Sequence, residues 1–163
     1  MEESGLKSSF QFKAYKVDKL NFYSKPDLHV LAQMNNIPPE LMNLGFSFRE
    51  PLYFSSEKFY VGGFDLVFKV TAESLEPATE DDILIKLELG IAGVFRIEDG
   101  RLSKEQEDDL VKTSIPTILL PYARSAMTSF LANAGFGAAI FPLVNVYELA
   151  KVTMKDKTIK VVE

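Results

Sequence analysis

Cysteine is absent from the 163 residues, and histidine occurs once, at His29. The first absence excludes disulfides, thiolate metal sites and cysteine nucleophiles, and makes a reducing compartment, the cytoplasm, the expected setting. The second leaves no histidine pair for a metal and no evident base for a catalytic triad, so no catalytic residue, metal or cofactor is assigned. Cations are scarce as well: 18 Lys and Arg stand against 23 Asp and Glu, giving a net charge of -5 and a pI near 5.0. Phosphate recognition needs a basic stripe, and these cations are scattered, so no nucleic-acid partner is expected. The opening Met1-Glu-Glu-Ser-Gly-Leu-Lys lacks the apolar run of a signal peptide.

Long apolar runs are lacking too, with one stretch to test. From Ser125 to Val146 no side chain ionises. A span of about 20 apolar residues could cross a bilayer. Here Ser125, Thr128, Ser129, Asn133 and Asn145 interrupt it, and Gly135, Gly137 and Pro142 break any continuous helix, so stable membrane insertion is not expected.

What is present fits one domain over 1–163, with 47% hydrophobic residues to build a core. Phe10, Phe12 and Ala14 share one face of a first, bent strand that continues to Tyr23. Leu44, Phe46, Phe48, Leu52 and Phe54 keep a period of two across Arg49-Glu50-Pro51, a second strand whose proline marks an edge or bulge. Phe64 to Ala72 and Ile83 to Ile97 alternate most regularly and predict strands three and four. Short links favour antiparallel pairing. The link from Ser24 to Asn43, with Pro26, Pro38 and Pro39, is too long for a turn and predicts a loop crossing the sheet.

After Asp99-Gly100 the period becomes helical. Ser103 and Gln106 form a capping-box pattern, and Ser114 heads a second helical stretch with the stripe Ile115, Ile118, Leu119, Tyr122, Ala126, Phe130 and Ala134. Pro121 should kink or restart that helix, and Gly135 should stop it. A last helix is expected from about Val144 to Met154. The whole reads as α+β: a four-stranded antiparallel sheet with a long crossing loop after strand one and C-terminal helices on one face.

Chemistry-bearing patterns are few. Glu76, Glu80, Asp81 and Asp82 lack the glycine and terminal glutamate of a calcium loop and read as a solvated turn. Gly135-Phe-Gly137 follows a helix, not a strand, which removes a dinucleotide reading. The surplus is apolar: thirteen Phe, six Tyr and five Met, several in the crossing loop and between Phe136 and Tyr147.

These residues carry a resemblance to the SecB family of protein-export chaperones. Phe10-Gln-Phe12 ending in Asn21-Phe22, then His29-Val30, is similar to the family's first strand and its Pro-His-Val. Ala92-Gly93-Val94-Phe95 resembles Gly-Gly-Ile-Phe. Ile118-Leu-Leu-Pro-Tyr-Ala-Arg124 resembles Ile-Leu-Phe-Pro-Tyr-Ala-Arg, and Pro142-Leu-Val-Asn145 follows where the family has Ala-Pro-Val-Asn. The resemblance implies a homotetramer, a dimer of dimers, that holds unfolded polypeptide clients without ATP. It points to Leu31, Met34, Leu41, Met42, Leu44, Phe46, Phe141, Val144 and Tyr147 as client-binding residues, and to Glu88 as facing the motor SecA. Tyr23 and Lys19 fall where the family has other acids, Lys86 falls where it has an apolar residue, and the C-terminal tail is lysine-rich. Export and a dedicated role with a toxin-antitoxin antitoxin both fit these residues. From other classes, a small-molecule-binding domain with an aromatic pocket and an enzyme using His29 remain to be set against the structure.

Overall fold

The computed structural model describes residues 10–26, 39–71, 82–98, 100, 102–136, 141 and 144–163. Among these residues six strands form one sheet: β1 (Phe10–Ser24), β2 (Met42–Phe48), β3 (Leu52–Phe54), β4 (Phe59–Thr71), β5 (Ile83–Ile97) and β6 (Lys160–Val162). Two helices follow the long strands, α1 (Lys104–Leu131) and α2 (Val146–Thr153). The order is β1-β5-β4-β3-β6, with β2 also pairing β4. All pairs are antiparallel except β3 with β6. β1 and β2 lie on opposite sides of the β5–β4 pair, and most of the expected crossing loop, 27–38, lies outside the described residues.

The sheet exceeds four strands for two reasons. The expected second strand divides at Arg49–Pro51, where proline has no donor for the ladder, into β2 and β3, which lie end to end along β4. The tail Thr158-Ile-Lys-Val-Val162 supplies β6, parallel to β3, with Lys160 N–H donating to the Pro51 carbonyl at 3.0 Å.

Alternation fixes the faces of β4 and β5. Phe64, Leu66, Phe68 and Val70 pair with Ile91, Leu89, Leu87 and Ile85, and all eight are fully or almost fully buried beneath the helices. In β1 the alternation slips twice, between Phe12 and Ala14 and between Val17 and Lys19. Each slip is a bulge that returns later residues to the opposite phase. Ala14 therefore does not share the face of Phe10 and Phe12, as strict alternation would have it, and is exposed.

α1 opens on the capping box, with Ser103 Oγ accepting from Gln106 N–H and Gln106 returning the bond. It then runs unbroken through Ser114, Pro116 and Pro121 to Leu131, instead of restarting. An interior proline costs about 3 kcal/mol. Burial of Val111, Ile115, Leu119, Met127 and Leu131 against the sheet outweighs it, at about 1.5–3 kcal/mol for each large side chain. The buried row also includes Ala123, so the core line lies beside the expected Tyr122–Ala126–Phe130 line, and Ala134 is exposed. The chain leaves α1 through a wide turn, Ala132–Phe136, in which Gly135 takes φ 97°, the left-handed conformation expected of a helix stop.

Candidate functional site

The helix-facing side of β2 carries Met42, Leu44, Phe46 and Phe48. Phe48 is buried, while Met42, Leu44 and Phe46 are only partly covered, although they pack against the core. They pair with Val70, Phe68 and Leu66, and among the described residues β2 has no partner on its other side. A row of half-covered apolar side chains thus lies along a strand with free main-chain donors and acceptors, which a segment in extended conformation can pair with. Leu41 stands at the head of the row, in the turn Pro39–Leu41, and is also half-buried.

Phe141 reaches the same region from the other end of the chain. Its ring meets Phe68 edge-on with centroids 4.8 Å apart, and Phe68 is the register partner of Leu44. Phe141 is nevertheless 3% exposed. In this structure it is a core residue. Arg124 Nη2 donates to the Phe141 carbonyl at 3.1 Å, so the arginine of the Pro-Tyr-Ala-Arg stretch anchors the segment leading into α2. Asn145 is the N-cap of α2, its Oδ1 accepting from Glu148 N–H at 3.2 Å. Both residues therefore act in the fold.

Val144 is half-buried, and Tyr147 is 45% exposed. Tyr147 does not face β2. It lines an open groove of about 800 Å³ between α1 and α2 together with Leu110, Thr113, Ala150 and Met154. On α2, Leu149 and Val152 are exposed as well, Val152 to 75%. Leu31, Met34 and His29 lie outside the described residues. The structure thus brings Leu41, Met42, Leu44 and Phe46 into one row and sets Tyr147 on a second apolar surface.

The opposite sheet face is polar. The bulge at Asp18 lets its carboxylate meet Arg49, with Nη1 to Oδ2 at 2.6 Å and Nη2 to Oδ1 at 2.9 Å, while the same guanidinium bonds Asp65 at 2.8 and 3.1 Å. The Arg49 partnership holds the Asp18 carboxyl below its usual range, and the two carboxylates push the arginine further up. Glu88 accepts from Asn21 at 3.3 Å and pairs with Lys86 at 3.2 Å and Lys19 at 3.4 Å, and the Asn21 and Lys86 hydrogen bonds lower its carboxyl. No sequence pattern signals the Arg49 network, because it depends on the register of three strands.

Much of the aromatic surplus forms ring contacts within the fold. Phe12, Tyr15 and Tyr122 form one contact series, and Phe22 meets Phe130 and Phe136. These rings pair strand with helix, and the groove beside α2 has one ring, Tyr147. Among the described residues no helix is long and apolar enough to cross a membrane.

Comparison with known proteins places this geometry. Residues 50–157 match the family model for SecB, preprotein translocase subunit SecB. The chain is 33% identical over 84 residues to the protein-export protein SecB of Dechloromonas aromatica, covering 52% of each chain. It is 37% identical over 76 residues to that of Afipia carboxidovorans, covering 47% of this chain and 45% of the relative. The alignments thus span about half the length of the relatives matched. Among solved structures, the Mycobacterium tuberculosis SecB-like chaperone in complex with a ChAD peptide from the HigA1 antitoxin superposes with a TM-score of 0.58. The identity is 11%, and 83% of this chain and 91% of the other are covered, which is a likeness of fold.

Proposed function

This chain belongs to the SecB family, and we propose that it is an ATP-independent holdase that binds unfolded polypeptides, with all of 1–163 acting as one domain. The observation that carries the proposal is the half-covered row Met42, Leu44 and Phe46 on a strand whose outer edge has no partner among the described residues. An extended client would bury apolar side chains on the row at about 25 cal/mol per Å² and add main-chain hydrogen bonds along the edge. Leu31, Met34, Leu41 and Val144 extend the proposed contact, and Tyr147 offers clients a second surface in the groove between α1 and α2. Phe141 supports it from below by packing on Phe68. Such binding needs neither a cofactor nor catalysis.

Assembly as a dimer of dimers belongs to the same proposal. It is supported by Tyr15, Leu20 and Tyr122, large apolar side chains exposed at or near the outer edge of β1. We place the protein in the cytoplasm, in keeping with a chain without cysteine.

Two roles fit a holdase of this family: protein export and service to one dedicated partner, such as an antitoxin. Docking of SecA through Glu88 would work against Lys19 and Lys86, which already pair with it. This observation favours the dedicated role as a second reading.

The test is suppression of aggregation of a chemically unfolded model protein without nucleotide, with the oligomer mass measured on the same sample. Suppression near one tetramer per client supports the general holdase. A folded protein that suppresses nothing removes that reading and leaves the dedicated partner.

A further inference from the structure

The chain carries a net charge of -5, yet the sheet face turned away from the helices has the opposite balance. Register places Lys16 opposite Ala92, Lys69 opposite Lys86, and Tyr23 also opposite Lys86, all on that face. Lys19 and Arg96 share it. Among the described residues the carboxylates there are Asp18, Asp65 and Glu88. Asp18 and Asp65 are both engaged by Arg49, and Glu88 answers Lys19 and Lys86 together. Among the described residues no carboxylate pairs with Lys69.

Like charges directly opposite on neighbouring strands destabilise a sheet. Folding therefore does not account for Lys69 facing Lys86, with Lys19 on the next strand over and Glu88 as the shared counter-charge. Exposed Tyr23 and Asn21 add a hydroxyl and an amide beside the same lysines. We propose that the Lys19–Lys69–Lys86 patch docks an acidic segment of a partner polypeptide. The chemistry favours carboxylates over a polyphosphate. Glu88, Asp18 and Asp65 are interleaved with the cations and would repel closely spaced phosphates, whereas side-chain carboxylates on a peptide can be spaced between them.

This surface is separate from the Met42–Leu44–Phe46 row, which lies on the helix-facing side, so the two sites can be tested apart. The experiment is a titration of a fluorescent Glu/Asp decapeptide into the full chain at low ionic strength, followed by anisotropy. A single-stranded RNA decamer and anionic vesicles serve as competing probes. The expected result is saturable peptide binding that weakens at least tenfold in the Lys69→Glu/Lys86→Glu variant and falls with added salt, while unfolded-client binding and oligomer mass are unchanged. Lys69→Arg/Lys86→Arg should retain it. Absence of binding, tighter binding of RNA or vesicles, equal binding by the charge-reversed variant, or a changed oligomer mass in that variant would each overturn the assignment.

Discussion

The guanidinium of Arg49 lies directly over Gly90: a Cβ built on that glycine would stand 2.5 Å from Arg49 Nη2, 2.7 Å from Asp18 Oδ1 and 2.8 Å from Asp65 Oδ1. The bare backbone at position 90 is what lets one arginine bridge β1 and β4 across β5. Gly90→Ala should push the three flexible side-chain ends apart and cost about 1 kcal/mol, the scale of a partly exposed ion-pair network. The cost should vanish in an Arg49→Ala background. Gly63→Ala should be worse, about 3 kcal/mol, because its Cβ would meet backbone, the Ile91 carbonyl, at 2.0 Å. Urea unfolding of the natural chain and these variants checks this, and equal costs at the two glycines would contradict it.

Acid should weaken the same network. The folded-state carboxyls of Asp18 and Glu88 are depressed, so the stability they contribute is present above their ordinary range near pH 4 and is lost as pH falls through the lowered folded values. Melting temperature followed from about pH 5 to pH 2 should drop more steeply in the natural chain than in Arg49→Leu. Parallel curves would remove Arg49 as the cause.

At the alkaline end a different pair governs. The Tyr60 hydroxyl donates to the Glu107 carboxylate, joining the start of β4 to the first turn of α1. Burial and the nearby carboxylate raise the phenol well above its ordinary value of 10.0. Stability from the neutral hydroxyl is complete below about pH 10 and should be lost as pH rises beyond it. Tyr60→Phe should cost about 1–2 kcal/mol at pH 7 and flatten the decline above pH 10, as measured by denaturant midpoints across pH 7–11.

Client binding separates two apolar surfaces. Leu44→Ala should weaken binding of an unfolded client by about tenfold, the scale of a buried apolar anchor. Tyr147→Ala reads the groove between α1 and α2 independently. A client affinity unchanged by Leu44→Ala, with the fold retained by circular dichroism, would move the site away from β2.

Periodicity made much of this legible. β5 and most of β4 follow their alternation, and Ser103 caps α1 as its spacing predicts. β1 was harder, because alternation cannot locate a bulge, and the extra residues at Lys13 and Asp18 decide which side chains meet the helices. The α1 row went astray for a related reason: Tyr122 and Phe130 are apolar at helical spacing but turn toward Phe12, Tyr15 and Phe22 of β1, leaving the centre to Ala123 and Met127. Phe141 belongs to a stretch without ionisable side chains that looks like open surface in one dimension. Its burial depends on Phe68, distant in sequence.

The short parallel strand β6 has a geometric effect beyond adding hydrogen bonds. β2 and β3 share one edge of β4 end to end, and β6 begins beside Pro51, where β2 has just ended. A segment aligning along β2 therefore meets a stop. Its length is set by the seven residues of β2, about 23 Å of extended chain. The C-terminal tail acts as a ruler for whatever pairs there, and the pairing cannot run on along β3 into an unlimited ladder.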